Sequence, residues 1–241
     1  NPAVHDLVRR LLGRGTEGMS AVDLGALIAK DFGASVFNTL TGFKYIGEMI
    51  GEFEKDATHE FTFGYEESFG YLAGTFVRDK DAVIAAVLIC DMASFYLKKG
   101  RTLLDALDTL CKKYGYYSDA LVSYTFKGAP GGEAIRRLTR PLKNGDALKA
   151  AFSDIITIED YGSRKRLNVP MGETVPITLP ASDVLKVIFS DGSWFAVRPS
   201  GTEPKLKLYF SGRGATRADA DNRLRTLKQG VLRFLGQPGE A

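Results

Sequence analysis

The sequence predicts an α/β domain with a mixed sheet covered by helices, followed by a smaller α+β domain with a four-stranded antiparallel sheet and two helices. Three observations predict it. Amphipathic helical stretches alternate with short strand-like runs through the first half of the 241 residues, the pattern of a helix-covered sheet. Hairpin spacing dominates the second half. The charge also changes sign, since residues 1–115 hold 13 Lys/Arg against 16 Asp/Glu while 116–241 hold 19 against 13. Two domains of ordinary size follow, 1–115 and 116–241.

In the first domain, residues 5–12 read as a short helix, followed by a glycine-rich break. Residues 21–32 place Val22, Leu24, Leu27, Ile28 and Phe32 near helical spacing, and Gly33 supplies the stop. A strand is expected over 34–40 and a helix over 43–53, with Thr41-Gly42 at its start. Residues 61–65 read as a strand, then two helices follow over 79–98 and 102–114. The second is capped by Thr102 and ended by Gly115. In the second domain, 121–126 alternates as a strand and 132–143 reads as a helix. Residues 155–159 are strand-like, and 184–189 with 194–197 form a hairpin whose Asp191-Gly192 suits a type I′ turn. A strand over 205–210 and a helix over 219–235 complete the domain.

Composition narrows the function. With 44% hydrophobic and 25% charged residues, the chain is an ordinary globular protein, which excludes collagen, a disordered tail and a coiled coil. Two cysteines are too few for a disulfide framework and point to a reducing, cytoplasmic home. The longest apolar run, from Ala82 to Cys90, is closed by Asp81 and Asp91. A membrane span needs roughly 18 such residues, so the run reads as a buried helix and no membrane partner is expected. The basic residues are scattered without interleaved aromatics, so no nucleic-acid partner is expected either. The chain begins at Asn1 rather than Met, which reads as a cut.

The sharpest motif is Arg198-Pro199-Ser200-Gly201-Thr202-Glu203-Pro204-Lys205, a loop between two expected strands. Arg198 offers a bidentate fork and Lys205 a point charge. Ser200 and Thr202 bring hydroxyls, and Gly201 lets successive N–H groups converge on one anion. Phosphate binding is the expectation, against the plainer reading of a polar hairpin loop.

A second candidate is Gly64-Tyr65-Glu66-Glu67-Ser68-Phe69-Gly70, at a strand end where α/β sheets bind ligands. Glu66 and Ser68 share a face and suit sugar hydroxyls, while Glu67 points the other way. The plainer reading is a pair of solvated carboxylates. Thr41-Gly42-Phe43-Lys44 either presents helix N–H groups to a ligand oxygen or is a simple helix start. Asp79 and Asp81 are helix N-terminal charges, and Arg78 and Lys80 are placed to reach a bound anion. His5 and His59 lack partners at metal-ligand spacing, so no metal site is expected. Cys90 reads as inert core, and Asp219 with Asp221 as the acidic start of a helix. No Gly-x-x-x-x-Gly-Lys-Ser/Thr loop is present.

Taken together, Thr41-Gly42-Phe43-Lys44-Tyr45-Ile46-Gly47, Phe63-Gly64-Tyr65-Glu66-Glu67-Ser68, Val77-Arg78-Asp79-Lys80-Asp81 and the 197–205 segment resemble the phosphohexomutase superfamily, the phosphoglucomutases and phosphomannomutases. The resemblance runs from about Val22 onward and is strongest to the phosphoglucomutase/phosphopentomutase branch. It implies four domains around one cleft, of which this chain looks like the third and fourth. On that basis Glu66 and Ser68 bind sugar hydroxyls, with Thr41 and Gly42 shaping the pocket. Lys80 is the proton-transfer or phosphate-contacting group, and Arg198, Ser200, Gly201, Thr202 and Lys205 hold the phosphate that is not transferred.

The family's nucleophilic serine loop and Asp-Gly-Asp-type Mg²⁺ loop do not occur here. The resemblance therefore implies a partner N-terminal half that supplies both, a phosphorylated sugar as substrate and a sugar bisphosphate as primer. This chain alone is expected to be inactive. A non-catalytic sugar-phosphate-binding or regulatory module is the competing expectation.

Overall fold

The computed structural model describes residues 20–40, 42–66, 70–126, 131–200 and 204–236. The expected helix over 5–12 and the site residues Thr41, Ser68, Gly201 and Thr202 lie outside the described residues. The chain divides into two compact units between Tyr116 and Tyr117.

The first unit contains α1 (Ser20–Asp31), α2 (Phe43–Asp56), α3 (Ala82–Leu97) and α4 (Leu103–Tyr114), and a hairpin of β1 (Phe63–Glu66) and β2 (Gly70–Ala73) on which α2 and α3 pack. The hairpin is antiparallel, pairing Phe63 with Ala73 and Glu66 with Gly70. It is the sheet of this unit among the described residues, in place of the expected mixed sheet. Residues 34–40 form no strand. Their strand-like composition lacks a paired neighbour, and strand preference is largely packing against one.

Caps explain the helix limits. Asp81 Oδ1 accepts from the N–H groups of Val83 and Ile84 at 2.8 and 2.9 Å, so α3 starts at Ala82 rather than at Asp79. Thr102 and Asp105 form a reciprocal capping box on α4, with Thr102 N–H donating to Asp105 Oδ2 at 2.7 Å.

The expectation that α3 is a buried helix is corrected. It buries Ala85, Met92 and Tyr96, but Val83 is 75% and Leu97 74% exposed, and Val87 is exposed beside them. Cys90, expected in the core, is exposed, whereas Cys111 is buried. A helix apolar on every side needs cover on every side, and the described residues cover α3 on one.

The second unit is built on a seven-stranded sheet in the order β3-β9-β8-β7-β4-β5-β6. Its strands are β3 (Tyr116–Thr125), β4 (Ile155–Asp160), β5 (Lys165–Asn168), β6 (Glu173–Pro176), β7 (Leu185–Phe189), β8 (Trp194–Pro199) and β9 (Lys205–Gly214). The expected four strands thus become seven. The hairpin β5–β6 extends the sheet through β4, pairing Glu159 with Arg166. It was missed because β6 is exposed throughout and β5 nearly so, which leaves no apolar alternation to read.

Helices cover one face. These are α5 (Gly131–Thr139), α6 (Gly145–Ala151) and α7 (Arg217–Phe234). Ile135, Leu148, Leu227 and Val231 pack there on Val187, Phe195, Val197, Leu206, Leu208 and Phe210 in one continuous core. The expected helix over 132–143 ends early, passing into a 3₁₀ turn over Arg140–Lys143. Pro141 lacks an N–H and its ring crowds the preceding turn, so α-helical bonding stops there. Asn144 then caps α6, accepting from Asp146 and Ala147 N–H, both at 3.1 Å.

The β7–β8 connection is a hairpin as expected, but not of type I′, which needs positive φ at both central residues. Gly192 alone has it, at 84°. Gly192 N–H donates to Phe189 O at 2.9 Å, and Phe189 N–H to Ser193 O at 2.9 Å. The result is a three-residue loop that leaves Asp191 unstrained.

Candidate functional site

In the first unit β1 delivers Glu66 and the turn before α3 delivers Lys80. That turn is fixed at three points. Asp81 N–H donates to Tyr71 O at 2.8 Å, Lys80 N–H donates to Asp79 Oδ1 at 2.7 Å, and Arg78 grips both oxygens of Glu54 at 2.6 and 2.7 Å. Lys80 Nζ consequently meets Glu66 Oε1 in an ion pair whose carboxylate side is only 8% exposed. A burial of that depth is costly for a carboxylate without a cation.

Gly70 makes the contact possible. A Cβ there would lie 2.6 Å from Lys80 Cε and 3.0 Å from Glu66 Cγ.

Glu66 also lines a cavity of about 540 Å³ with Gly42, Thr39, Ile46, Phe61 and Tyr65. Gly42 precedes α2 with φ of 126° and supplies no side-chain cap, so the helix start is open on that side. Burial is the main cause that pushes the Tyr65 phenol up, with Asp23 adding to it, which keeps it a neutral hydroxyl. Polar groups at one end of an apolar cavity are the usual make-up of a small-molecule site.

Of the residues expected to recognise sugar, Gly42 and Glu66 share this cavity, and Lys80 joins Glu66. Arg78, expected to reach an anion alongside Lys80, is held by Glu54 instead.

In the second unit the candidate phosphate loop joins β8 to β9. Ser200 N–H donates to Lys205 O at 2.8 Å and closes its base. Phe126 N–H donates to Pro204 O at 2.8 Å and ties it to the end of β3. Val197, Leu206 and Leu208 point into the helix-covered core. Alternation therefore turns Arg198, Lys205 and Lys207 to the other face.

Arg198 and Lys207 are direct cross-strand partners, which places their Cβ atoms about 5 Å apart. Both are half-buried, as is Lys205. Like charges in that position repel, and an anion between them removes the conflict. Lys207 was missed from the sequence. The signal was present in Lys205-Leu206-Lys207, because pairing Pro199 with Leu206 makes Lys207 the mate of Arg198.

Among the described residues no three His, Cys, Asp or Glu side chains converge to hold a metal ion. No described helix is long and apolar enough to cross a membrane.

Known proteins are similar to both units. Residues 17–114 match the family Phosphoglucomutase/phosphomannomutase, alpha/beta/alpha domain III, and residues 136–225 match its C-terminal domain. A phosphoglucomutase of Staphylococcus haemolyticus is 40% identical over 189 residues, covering 78% of this chain and 34% of that protein. One from Staphylococcus aureus (strain bovine RF122 / ET3-1) is 38% identical over 172 residues, 71% of this chain and 31% of its own length. The chain thus spans about a third of these relatives.

Among solved structures, the open form of the phosphoglucomutase pp63/parafusin from Paramecium aligns with a TM-score of 0.63 at 16% identity. The alignment covers 97% of this chain and 41% of that one. That likeness speaks for the fold, and the sequence matches place the two motifs in successive domains of one kind of protein. The chain belongs to the phosphoglucomutase/phosphomannomutase family, of which it carries domain III and the C-terminal domain.

Proposed function

We propose that this chain is the sugar- and phosphate-recognising part of a phosphoglucomutase-type enzyme that interconverts glucose 1-phosphate and glucose 6-phosphate through a bisphosphorylated intermediate. The observation that carries the reading is the trio Arg198, Lys205 and Lys207 on one face at the mouth of the β8–β9 loop. Three cations within two strands suit a dianion better than any neutral ligand. The guanidinium of Arg198 can bond two phosphate oxygens at once while the lysines neutralise charge.

The Glu66–Lys80 pair supplies the second requirement. Glu66 is an acceptor for sugar hydroxyls, and Lys80 is a donor that can move between Glu66 and a phosphate oxygen. A group that reads hydroxyls and another that grips phosphate without reacting serve both orientations of a bisphosphorylated sugar. The nucleophilic serine and the Mg²⁺ loop belong, on this reading, to the rest of a longer protein. Phosphoryl transfer requires both a positioned nucleophile and charge stabilisation, so this chain binds without turning over.

Calorimetric titration with glucose 1-phosphate tests the binding. The chain is expected to bind saturably, and Arg198→Ala to weaken binding by about tenfold or more. Absence of binding, or an unchanged affinity in Arg198→Ala, overturns the reading. Conversion of glucose 1-phosphate by the chain alone, with bisphosphate primer and Mg²⁺, overturns the claim that it needs the remainder.

A further inference from the structure

The positive charge of the second unit is not concentrated on the phosphate loop. From Arg198 to Lys205 the loop holds two cations against Glu203. The stretch from Gly131 to Lys143 holds four, Arg136, Arg137, Arg140 and Lys143, against Glu133. The helical stretch therefore carries the larger surplus. It also lies on a different side, because α5 packs on the helix-covered face while Arg198 and Lys207 point to the opposite one.

Local structure gathers these cations. The apolar side of α5 is spent on the core through Ile135, with Leu142 following it in the 3₁₀ turn. This turns Arg136, Arg140 and Lys143 outward at spacings of four and three residues. They line a cleft of about 840 Å³ whose far wall is Asp183, Pro199 and Ser200. Lys143 reaches Asp183 at 3.6 Å across exposed surface, a contact of little energy. Among the described residues, Arg136, Arg137 and Arg140 make no side-chain hydrogen bond or ion pair.

Guanidinium groups one turn apart repel. Helical rise separates Arg136 from Arg140 by about 6 Å, and the last cation lies roughly 10 Å from the first. One phosphate cannot meet that row, but two or three linked phosphoryl groups can, and arginine forks match their oxygens bidentately.

We propose that the cleft between α5, its 3₁₀ extension and the base of the β8–β9 loop is a second anion site, for a small molecule with two or more phosphoryl groups. It adjoins the sugar-phosphate site at Pro199, Ser200 and Pro204, but its cations are other than Arg198, Lys205 and Lys207, so it can be occupied with that site empty.

The test uses inorganic tripolyphosphate as probe, titrated calorimetrically at about 0.15 M salt to suppress diffuse attraction. Arg198→Ala is the background throughout, so the loop's own site is weakened. Saturable binding is expected. Adding Arg136→Ala and Arg140→Ala is expected to weaken it by about tenfold or more. Adding Arg225→Ala and Arg233→Ala, which remove the same charge from the exposed side of α7, should change it less than about twofold.

In the chain with Arg198 intact, Arg136→Ala with Arg140→Ala should leave glucose 1-phosphate binding unchanged. Separate titrations with ADP and fructose 1,6-bisphosphate distinguish a nucleotide ligand from a sugar one. No saturable binding, or equal losses from the α5 and α7 pairs, overturns the proposal. Loss of glucose 1-phosphate binding in Arg198→Ala alone bears on the sugar-phosphate reading and leaves this one standing.

Discussion

The Glu66–Lys80 pair is where a single side chain is expected to matter most. Glu66 is nearly enclosed and Lys80 is 40% exposed, so removing the lysine leaves a largely buried carboxylate without its cation. Lys80→Ala should cost about 1–3 kcal/mol in urea unfolding, and adding Glu66→Gln should recover part of that loss. Gly70→Ala is a gentler probe of the same spot. The new Cβ falls on the far end of Lys80, which can swing away, so stability should drop by less than about 1 kcal/mol. Glucose 1-phosphate binding should fall more than stability does, because the swing moves the Lys80 ammonium out of position while leaving it near enough to offset the charge of Glu66.

Tyr65 adds a pH dependence at this scale. Burial holds its folded phenol above the ordinary tyrosine value of about 10. Below pH 10 both folded and unfolded phenols are protonated and the contribution is constant. Above it the unfolded chain releases the proton first, so stability falls as pH rises. Tyr65→Phe should flatten that alkaline slope in pH-dependent melting curves, and an unchanged slope would assign the effect to other groups.

At the scale of elements, caps and breaks were legible in the sequence, and pairing was not. Thr102, Gly115 and the stop after α1 could be read because a cap depends on one or two neighbouring residues. Arg198 and Lys205 could be read for the same reason, as charges flanking a turn. Lys207 needed the register of β8 on β9. The hairpin β5–β6 needed β4 as its template, since its own residues are polar and exposed. Residues 34–40 show the converse, because apolar and β-branched composition alone does not make a strand.

Asp81 links an element to the site. As the cap of α3 it takes two N–H groups, and it also holds the turn that carries Lys80. Asp81→Ala should cost about 1 kcal/mol and weaken glucose 1-phosphate binding, whereas Thr216→Ala, removing the cap of α7, should cost a similar amount with binding unchanged. Equal binding in both variants would separate Lys80 from its turn.

At the scale of the whole molecule, the two units bury apolar surface very differently. The second has one continuous core running from Val122 to Leu235. Among the described residues, the first divides its buried apolar groups into small clusters around Ile28, around Ile50 and around Met92. It also leaves Val83, Val87 and Leu97 exposed on α3. Stabilisation follows the apolar area removed from water, so the first unit should unfold at lower denaturant than the second.

The chain carries its own reporter for this. Its single tryptophan is Trp194 on β8, 2% exposed and therefore a probe of the second unit alone, whereas far-UV circular dichroism senses helices in both. In a urea titration, part of the helical signal should be lost before the Trp194 emission shifts, and saturating phosphate should move the later transition upward while leaving the earlier one in place. Coincident transitions by both probes would mean that the two units unfold as one.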